Sequence, residues 1–356
     1  MTIGVEEEFL LVDPATRRPV ARAGEVLARI DRDALPAGAK VHRELVGTQL
    51  EFATGVCDDL PELRDQLLTG RRALDAAARA EGLRLVATGT PVLADPAPPL
   101  SRGERFEVIE GIYRGQVADY QCCGCHVHVG VPDRDTAVHV VNHLRPWLPT
   151  LLALGGNSPF LLGRDTGYAS WRMLEQAKFP GAGVTPFFKD AAEHDAQVER
   201  LVDAGVLVDA SQTFWLARPS PAYPTVEVRV ADTAATTAGA VLQAGLTRAL
   251  VRTALASDEQ PPELDDQVLA AALWSAARHG LAGPGVDPRT ARRVPAAELV
   301  EALLAHVSDA LGGDREPVRS LLRGALAGGT GAQRQRGAGE PGAVVDLLTC
   351  IVTESG

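Results

Sequence analysis

Four short stretches, far apart in the chain, alternate polar and apolar residues with a period of two, and this pattern constrains the fold most. The clearest is residues 125–130, CHVHVG, in which His126 and His128 fall on one side and apolar residues on the other. Successive side chains of a β-strand point to opposite faces of a sheet, so the pattern predicts a strand with one buried face. Three further stretches pair polar residues in the same way: Glu6 with Glu8, Gln49 with Glu51, and Glu227 with Arg229. We predict one sheet whose apolar face packs on helices and whose polar face carries the active site.

The carboxylates of this polar face indicate a metal site. Its candidate ligands are Glu6, Glu8, Glu51, His126 and Glu227. Clustered carboxylates repel one another unless a positive charge lies between them, and Mg²⁺ prefers oxygen ligands and bridges proteins to substrate phosphates. Arg229 adds a planar cation suited to phosphate or carboxylate. The pattern favours a Mg²⁺–nucleotide site for phosphoryl transfer, and the alternative is a solvated sheet face with exposed carboxylates.

The cysteines favour buried, reduced thiols over a zinc site or a disulfide framework. Their number, five, is odd, and three of them crowd into residues 122–125. Adjacent residues of a strand face opposite ways and cannot close a tetrahedral zinc site. Reduced thiols are typical of the cytoplasm, and the amino terminus shows no basic segment followed by an apolar run. We therefore predict a cytoplasmic protein.

Two other motifs carry little chemistry. His139 and His143 share one helix face, but the glutamate of the zinc-protease motif is missing between them, and a solvated helix face is the favoured interpretation. Residues 337–342 match a dinucleotide fingerprint only formally, because a proline interrupts them and no strand precedes them. The sequence contains no Walker A motif, so an ATP site must be of another design.

The charge balance narrows the range of partners. The 356 residues carry a formal net charge of -11, which disfavours nucleic acid or an anionic membrane surface as the main partner. No apolar stretch reaches the length of about 18 residues that a membrane span needs. We predict small-molecule substrates, and the Ala- and Leu-rich helices of the carboxyl-terminal half favour a homodimer.

The order of predicted elements indicates one α+β domain over residues 1–356 with a mostly antiparallel sheet. The sequence predicts strands at 3–12, 40–54, 84–88, 125–130, 214–218 and 225–230. It predicts helices at 23–32, 59–82, 105–114, 135–154 (bent or broken at two prolines) and 191–204. From residue 236 onward the chain is predicted to be almost wholly helical, down to a Gly-rich segment at 327–342 and a last helix near 343–353.

Six stretches occur together as a set in one known family. They are residues 4–9 (GVEEEF), 125–130 (CHVHVG), 157–160 (NSPF), 163–168 (GRDTGY), 218–221 (RPSP) and 226–229 (VEVR). With them, the sequence resembles the carboxylate–amine ligases of the glutamate–cysteine ligase type 2 group, from the first strand to residues 329–336. The resemblance implies a domain similar to the catalytic domain of glutamine synthetase, with a curved antiparallel sheet that forms a funnel and helices on its outer face.

The resemblance also implies a reaction and a set of site residues. ATP and Mg²⁺ would activate the γ-carboxylate of glutamate as an acyl phosphate, which an amine, cysteine in the best-known members, then attacks. The implied metal ligands are Glu6, Glu8, Glu51, His126 and Glu227, with Glu44 as a further candidate. The implied catalytic residues are Arg229 and Glu227, and those that bind the nucleotide are His128 and Arg229. The implied substrate-binding residues are Arg164, Tyr168 and Arg172, and residues 333–336 would cover the site.

Departures from the family pattern leave the amine acceptor open. Cys125 stands where a larger apolar residue is expected, residues 176–179 lack the aromatic and Arg pattern expected there, and residues 232–236 are less distinctive than the usual segment. A ligase with another amine acceptor therefore stays an alternative, as does a metal-dependent hydrolase that would act without ATP. A third alternative is a non-catalytic, nucleotide-binding regulator, against which the intact acidic residues and Arg229 argue.

Overall fold

A seven-stranded antiparallel sheet forms the centre of the protein, whose computed structural model describes residues 1–354. The strands are β1 (Ile3–Val12), β2 (Lys40–Arg43), β3 (Gln49–Ala53), β4 (Arg84–Val86), β5 (Gly124–Gly130), β6 (Phe160–Leu161), β7 (Arg164–Asp165), β8 (Ala217–Pro219), β9 (Thr225–Asp232), β10 (Pro284–Asp287) and β11 (Arg292–Pro295). In the sheet they follow the order β2-β3-β1-β5-β9-β8, and β4 pairs with the end of β1. The predicted α+β fold with an antiparallel sheet is confirmed, and the sheet is open.

Helices surround this sheet and fill the carboxyl-terminal half. They are α1 (Ala23–Arg29), α2 (Leu60–Ala80), α3 (Glu104–Tyr113), α4 (Gly115–Ala118), α5 (Arg134–Leu144), α6 (Leu148–Gly155), α7 (Arg172–Gln176), α8 (Ala191–Asp203), α9 (Thr237–Leu255), α10 (Asp266–His279), α11 (Ala296–His306), α12 (Arg315–Gly328), α13 (Gly331–Ala338) and α14 (Pro341–Ile351). None of the helices described combines the length and the apolar character that crossing a bilayer demands.

The register of the central strands gathers polar residues from distant parts of the chain. It produces three cross-strand pairs on one face: Glu8 opposite Glu51, Glu6 opposite His126, and His128 opposite Glu227. Directly opposed residues of antiparallel strands share a face and have Cβ atoms about 5 Å apart. The pairing therefore concentrates these carboxylates and imidazoles in one patch across β3, β1, β5 and β9.

The opposite face of the sheet packs on α2 and α9, as the alternation predicts. Phe9 and Phe52 from the sheet join Leu63 of α2 in one apolar core, and burying each such side chain contributes roughly 1.5–3 kcal/mol. At the start of α2, the Asp59 carboxylate accepts a hydrogen bond of 2.8 Å from the Glu62 backbone N–H. This N-cap satisfies one of the four free amide groups of the helix and fixes where α2 begins.

One charged pair interrupts the apolar face. Glu7 points away from the polar patch and is fully buried, where it accepts hydrogen bonds from Arg71 of α2 at 2.8 and 2.5 Å. The expectation of an uninterrupted apolar back is wrong at this position. A glutamate between two residues of the polar face must lie on the core side of the strand, and α2 supplies its counter-ion.

Several element boundaries differ from the sequence-based ones. The single strand predicted at 40–54 is two strands, β2 and β3, because residues 44–48 turn the chain back on itself. The break predicted in the helix at 135–154 is confirmed: the helix divides into α5 and α6 around a 3₁₀ segment, Arg145–Trp147, since Pro146 lacks the amide hydrogen an α-helix needs. The helical half also contains the hairpin β10–β11, and the Gly-rich segment contains α13.

Candidate active site

Two groups of three metal-ligating side chains lie next to each other on the polar face of the sheet. The first is Glu6, His128 and Glu227, and the second is Glu8, Glu44 and Glu51. Within each group, one ligand atom from each residue lies within 4.8 Å of the others. The two groups are neighbours because Glu6 and Glu8 are two residues apart on β1 and therefore point to the same face.

The sheet places five of these six residues, and a turn places the sixth. Glu44 follows β2 directly, and its backbone carbonyl accepts a hydrogen bond of 2.5 Å from the Ser101 hydroxyl. The turn folds Glu44 towards Glu51 of β3 and Glu8 of β1. The family resemblance implies Glu44 only as a further candidate ligand, and a turn residue carries no alternation signal.

His126 lies between the two groups. Its Nδ1 is 3.5 Å from a Glu6 oxygen, and its Nε2 is 3.9 Å from a Glu8 oxygen. Within residues 1–354, the buried Nε2 atom has no hydrogen-bond partner. The two groups as defined by distance contain His128 and not His126, so the ligand role of His126 stays a prediction.

The carboxylates of Glu8, Glu44 and Glu51 lie so close together that they repel one another when ionised. Burial and the negative charge of Glu8 raise the pKa of Glu44 to about 8. Nearby donors act in the opposite direction and are outweighed. Burial and the charges of Glu44, Glu6 and Glu8 likewise raise the pKa of Glu51 well above its usual value. Such mutual repulsion is relieved when a cation lies among the carboxylates, and three carboxylates form a ligand set for a hard divalent ion.

The pKa of Glu6 is determined by the neighbouring imidazoles of His126 and His128. Burial would raise the pKa of Glu6, but hydrogen bonds and charge from the two imidazoles outweigh it and lower the pKa below its usual range. Burial lowers the pKa of His126 to about 4, assisted by the charge of Arg229. His126 is therefore a neutral imidazole near pH 7, as a metal ligand must be.

Two arginines hold Glu227 of the first group. Arg218 of β8, its neighbour across the sheet, donates to Glu227 from Nε at 2.8 Å and from Nη2 at 3.3 Å. Arg229 contacts the same carboxylate and lies 3.4 Å from His126 Nδ1. Against the effect of burial, the charges of Arg229 and Arg218 lower the pKa of Glu227 well below its usual value. Arg218 belongs to the RPSP motif, but its partner could not be named without the pairing of β8 with β9.

A cavity of about 220 Å³ opens beside the three-carboxylate group. Its charged and polar lining includes Glu8, Glu44, His126, Arg172, Gln176 and Arg229, and its apolar wall includes Phe106, Ile109, Val117, Phe179 and Phe214. Arg172 is almost fully buried, yet in the part of the chain described here its Nε and Nη1 atoms have no hydrogen-bond partner. The Arg172 guanidinium, a buried cation in the wall of this cavity, fits a carboxylate ligand.

The other predicted substrate-binding residues lie elsewhere. Arg164 is exposed on β7, and Tyr168 packs edge-to-face on Trp171 and Trp274. As lined by the described residues, the cavity includes neither Arg164 nor Tyr168, whose substrate contacts stay a prediction. Residues 333–336 belong to α13, where Arg336 pairs with Asp165, and none of them is among these lining residues.

A larger cavity, of about 540 Å³, lies away from the metal-ligating groups. The ends of α2 and α9 line it together with α12 and the start of α13. Among residues 1–354 its lining contains no member of either metal-ligating group. The chemistry of the donor groups, and not cavity size, therefore identifies the candidate active site.

Comparisons with known proteins give a consistent answer. The family model described as glutamate-cysteine ligase family 2 matches residues 2–338. A Saccharopolyspora erythraea protein provisionally named glutamate–cysteine ligase 2-2 is 54% identical over 357 residues, covering 98% of this chain and 91% of that protein. A Salinispora arenicola protein provisionally named glutamate–cysteine ligase 2 is 45% identical, with 94% and 89% covered.

Solved structures with the same fold are more distant in sequence. The glutamate–cysteine ligase of Francisella tularensis, solved with AMP, gives a TM-score of 0.68 at 14% identity, with 99% of this chain and 88% of that chain covered. The bifunctional glutathione synthetase of Pasteurella multocida gives 0.70 at 14% identity, with 99% and 52% covered. At this identity the likeness establishes the fold.

Proposed function

Because the chain belongs to glutamate–cysteine ligase family 2 and is a ligase by that membership, we propose that it uses ATP to join the γ-carboxylate of glutamate to an amine, with cysteine as the first acceptor to test. One observation carries the proposal beyond the family name. Two metal-ligating groups are neighbours on one sheet face, and Glu8 and Glu44 of the second group line one cavity together with Arg172 and Arg229. Phosphoryl transfer between two anionic substrates requires metal ions and positively charged side chains that position the substrates and stabilise the developing charge.

The donor atoms fit two divalent cations, and we propose Mg²⁺. Glu8, Glu44 and Glu51 would hold one ion through oxygen atoms alone, and Glu6, His128 and Glu227 would hold the other. His128 Nδ1 is 2.9 Å from the Thr225 hydroxyl, so a proton on Nδ1 leaves the Nε2 lone pair directed at Glu6, 3.4 Å away. When bound, Mg²⁺ neutralises phosphate charge and fixes the phosphate oxygens in place.

The reaction balances with glutamate, ATP and an amine. A γ-carboxylate oxygen of glutamate bonds to the γ-phosphorus of ATP while the bond to ADP breaks, which gives an acyl phosphate and ADP. The amine nitrogen then bonds to the acyl carbon, phosphate leaves, and the nitrogen loses a proton. A free carboxylate is a poor electrophile, and phosphorylation supplies it with a leaving group.

This chain's residues would orient the reactants and stabilise charge. Arg172 offers the positive charge of its guanidinium to a carboxylate of the acid substrate, and Arg229 faces the transferring phosphoryl group from β9. Glu227 holds Arg229 in place, and Arg218 in turn holds Glu227. Groups that are held before substrate binds need no reorganisation during reaction, which is the main source of electrostatic catalysis.

The cavity suggests how the substrates are arranged. It contains Glu8 and Glu44 of the second metal group, but among the described residues Glu6 and Glu227 of the first group do not line it. We infer that glutamate and the amine occupy the cavity, and that the phosphates of ATP reach the site from the side of Glu6, His128 and Glu227. The apolar wall of the cavity would then face the side chain of the amine.

ADP release tests this function directly. Purified protein is incubated with ATP, Mg²⁺ and L-glutamate, with and without L-cysteine and a panel of other amines, and the product is identified by mass. We expect amine-dependent ADP release. Glu227→Gln should lower kcat/KM by about 100-fold or more, the usual effect of removing a preorganised charge, whereas the exposed control Glu298→Gln should not. Turnover without ATP would favour a hydrolase, and no turnover with any amine would contradict the proposal.

A further inference from the structure

Asp232, the last residue of β9, is a fully buried carboxylate outside both metal-ligating groups. Its Oδ2 accepts hydrogen bonds from the Asn157 backbone N–H at 2.8 Å and from the Ser158 hydroxyl at 2.7 Å. Its Oδ1 accepts a hydrogen bond of 2.8 Å from the Ser170 hydroxyl. A buried charge is costly unless hydrogen-bond donors surround it. Here three donors, from Asn157, Ser158 and Ser170, surround the Asp232 carboxylate.

The same carboxylate fixes Arg172 at both ends. The Arg172 backbone N–H donates to the Ser158 hydroxyl at 3.1 Å, and that hydroxyl donates to Asp232. At the other end, Arg172 Nη1 is 3.9 Å from Asp232 Oδ1, close enough for charge attraction but too far for a hydrogen bond. The Arg172 guanidinium makes one long hydrogen bond, 3.3 Å from Nη2 to the Arg229 carbonyl. Asp232 is therefore the nearest anion that restrains the head group.

We propose that Asp232 is a positioning residue for the ligase reaction: it holds the Arg172 guanidinium at the cavity wall, in place to bind the carboxylate of the acid substrate. The inference rests on the proposed function, since it assigns the acid to Arg172. It ties the substrate-binding arginine to the strand that carries Glu227 and Arg229. Acid and phosphoryl group would then be aligned by one rigid element, β9.

Helix α13 braces this arrangement from behind. The Gln335 side-chain amide donates at 2.8 Å to both the Asn157 carbonyl and the Asn157 side-chain oxygen. Asn157 in turn donates its own amide to the carbonyls of Ala87 and Thr233 at 3.0 and 2.8 Å. Through Asn157, Gln335 fixes the backbone that meets Asp232. The segment at 333–336 thus acts by support, at a distance from the cavity lined by Arg172.

The test is the steady-state kinetics of Asp232→Asn in the full chain, with glutamate and ATP varied separately. We expect the KM for glutamate to rise about 10-fold, the effect of losing one interaction with a charged group, while the KM for ATP changes by less than about twofold. Ser170→Ala keeps Asp232 and removes one of its donors, so we expect a smaller rise in the same KM. This second variant keeps the inference testable if Asp232→Asn does not fold.

A matched control separates positioning from general destabilisation. Asn142 is also buried, and its side chain donates to the Phe188 carbonyl at 2.7 Å, far from the cavity lining. Asn142→Ala should lower the melting temperature without changing the KM for glutamate. A double-mutant cycle adds the decisive reading: if Asp232 acts through Arg172, Asp232→Asn should add little to the KM of Arg172→Lys.

The possible outcomes separate the positioning role of Asp232 from the proposed ligase function. Equal rises in the KM for glutamate and for ATP, an unchanged KM for glutamate in folded Asp232→Asn, or additive effects with Arg172→Lys would overturn the positioning role and leave the proposed function standing. Wild-type protein without glutamate-dependent ADP release would overturn the proposed function, and the positioning role with it.

Discussion

At the scale of single residues, the site depends on acidic side chains that repel one another when ionised unless cations lie among them. The pKa values of Glu44 and Glu51 are raised above the usual range of a carboxyl group. In contrast, arginines lower the pKa of Glu227 and imidazoles lower that of Glu6. Neighbouring carboxylates on one sheet face are thus tuned in opposite directions by what surrounds them. The metal-free protein should therefore respond to pH in a characteristic way.

We expect the metal-free protein to lose stability as the pH rises from about 6.5 to about 8. The folded pKa of Glu44, about 8, exceeds its unfolded value of 4.5, so the folded state binds more protons in this window and its stability falls with pH. Raised pKa values of Glu8, Glu51 and His128 act in the same direction. The lowered pKa of His126, about 4, and the lowered pKa values of His143, His194, His279 and His306 oppose them below pH 6.5. Thermal melting in buffers with chelator measures the slope.

Two comparisons check the origin of this pH dependence. Saturating Mg²⁺ should flatten the slope, because a bound cation favours the ionised carboxylates. Glu44→Gln should also flatten it in the absence of metal, since the substituted side chain no longer titrates. A metal-free protein whose melting temperature rises steadily from about pH 6.5 to about pH 8 would contradict the arrangement of these carboxylates.

Gly124 at the start of β5 is a second position with a sharp expectation. A Cβ there would overlap the Arg172 guanidinium and lie 2.8 Å from His126 Nε2. Gly124→Ala should therefore displace Arg172 and raise the KM for glutamate by about 10-fold or more, the cost of a lost charged contact. Gly130→Ala, at the other end of β5, meets only the side chain of Thr2 at 2.5 Å and serves as the control. Equal kinetics for both variants would argue against Arg172 as the acid-binding residue.

Alternation along a strand indicates which residues share a face, and this is why the acidic residues of β1, β3 and β9 could be assigned to the site from sequence. It does not indicate which strands are neighbours. Arg218 donates to Glu227 only because β8 pairs with β9, and Glu44 reaches Glu51 through a turn. Asp232 lies in a segment that departs from the family pattern, and its partners come from residues 157–170.

At the scale of elements, the pair formed by Glu7 and Arg71 joins β1 to α2 inside the core. Both side chains are fully buried, and Arg71 also donates to the carbonyls of Val352 and Ala234 at 3.0 and 2.8 Å. One guanidinium therefore connects the first strand, a central helix and the carboxyl-terminal region. Its hydrogen bonds hold β1 in the register that brings Glu6 and Glu8 to the polar face.

Removing one member of this pair should be strongly destabilising. We expect Arg71→Met to lower the free energy of unfolding by about 3–5 kcal/mol, because it leaves Glu7 charged and unpaired in the core. Urea unfolding followed by circular dichroism gives the value. The double variant Glu7→Gln/Arg71→Met should recover part of the loss, since no unpaired charge remains. A loss of less than about 1 kcal/mol in Arg71→Met would show that the pair does not hold β1 and α2 together.

At the scale of the whole molecule, the candidate active site is assembled from residues between the first strand and the middle of the chain, and supported by its carboxyl-terminal helices. Sequence reasoning predicted the α+β class, the antiparallel sheet and the most strongly patterned elements, because each has a local signal. It missed the hairpin β10–β11 and helix α13, whose short lengths and glycines give weak periodicity. The single domain and the homodimer stay predictions.

The transfer of oxygen from glutamate to phosphate directly tests whether the reaction passes through the proposed acyl phosphate. Glutamate labelled with ¹⁸O in its γ-carboxylate is turned over with ATP, Mg²⁺ and cysteine, or with the amine that supports ADP release, and the inorganic phosphate is analysed by mass. If the γ-carboxylate attacks the γ-phosphorus, each phosphate released carries one labelled oxygen from glutamate. Phosphate without label, formed in step with the amide product, would contradict the account.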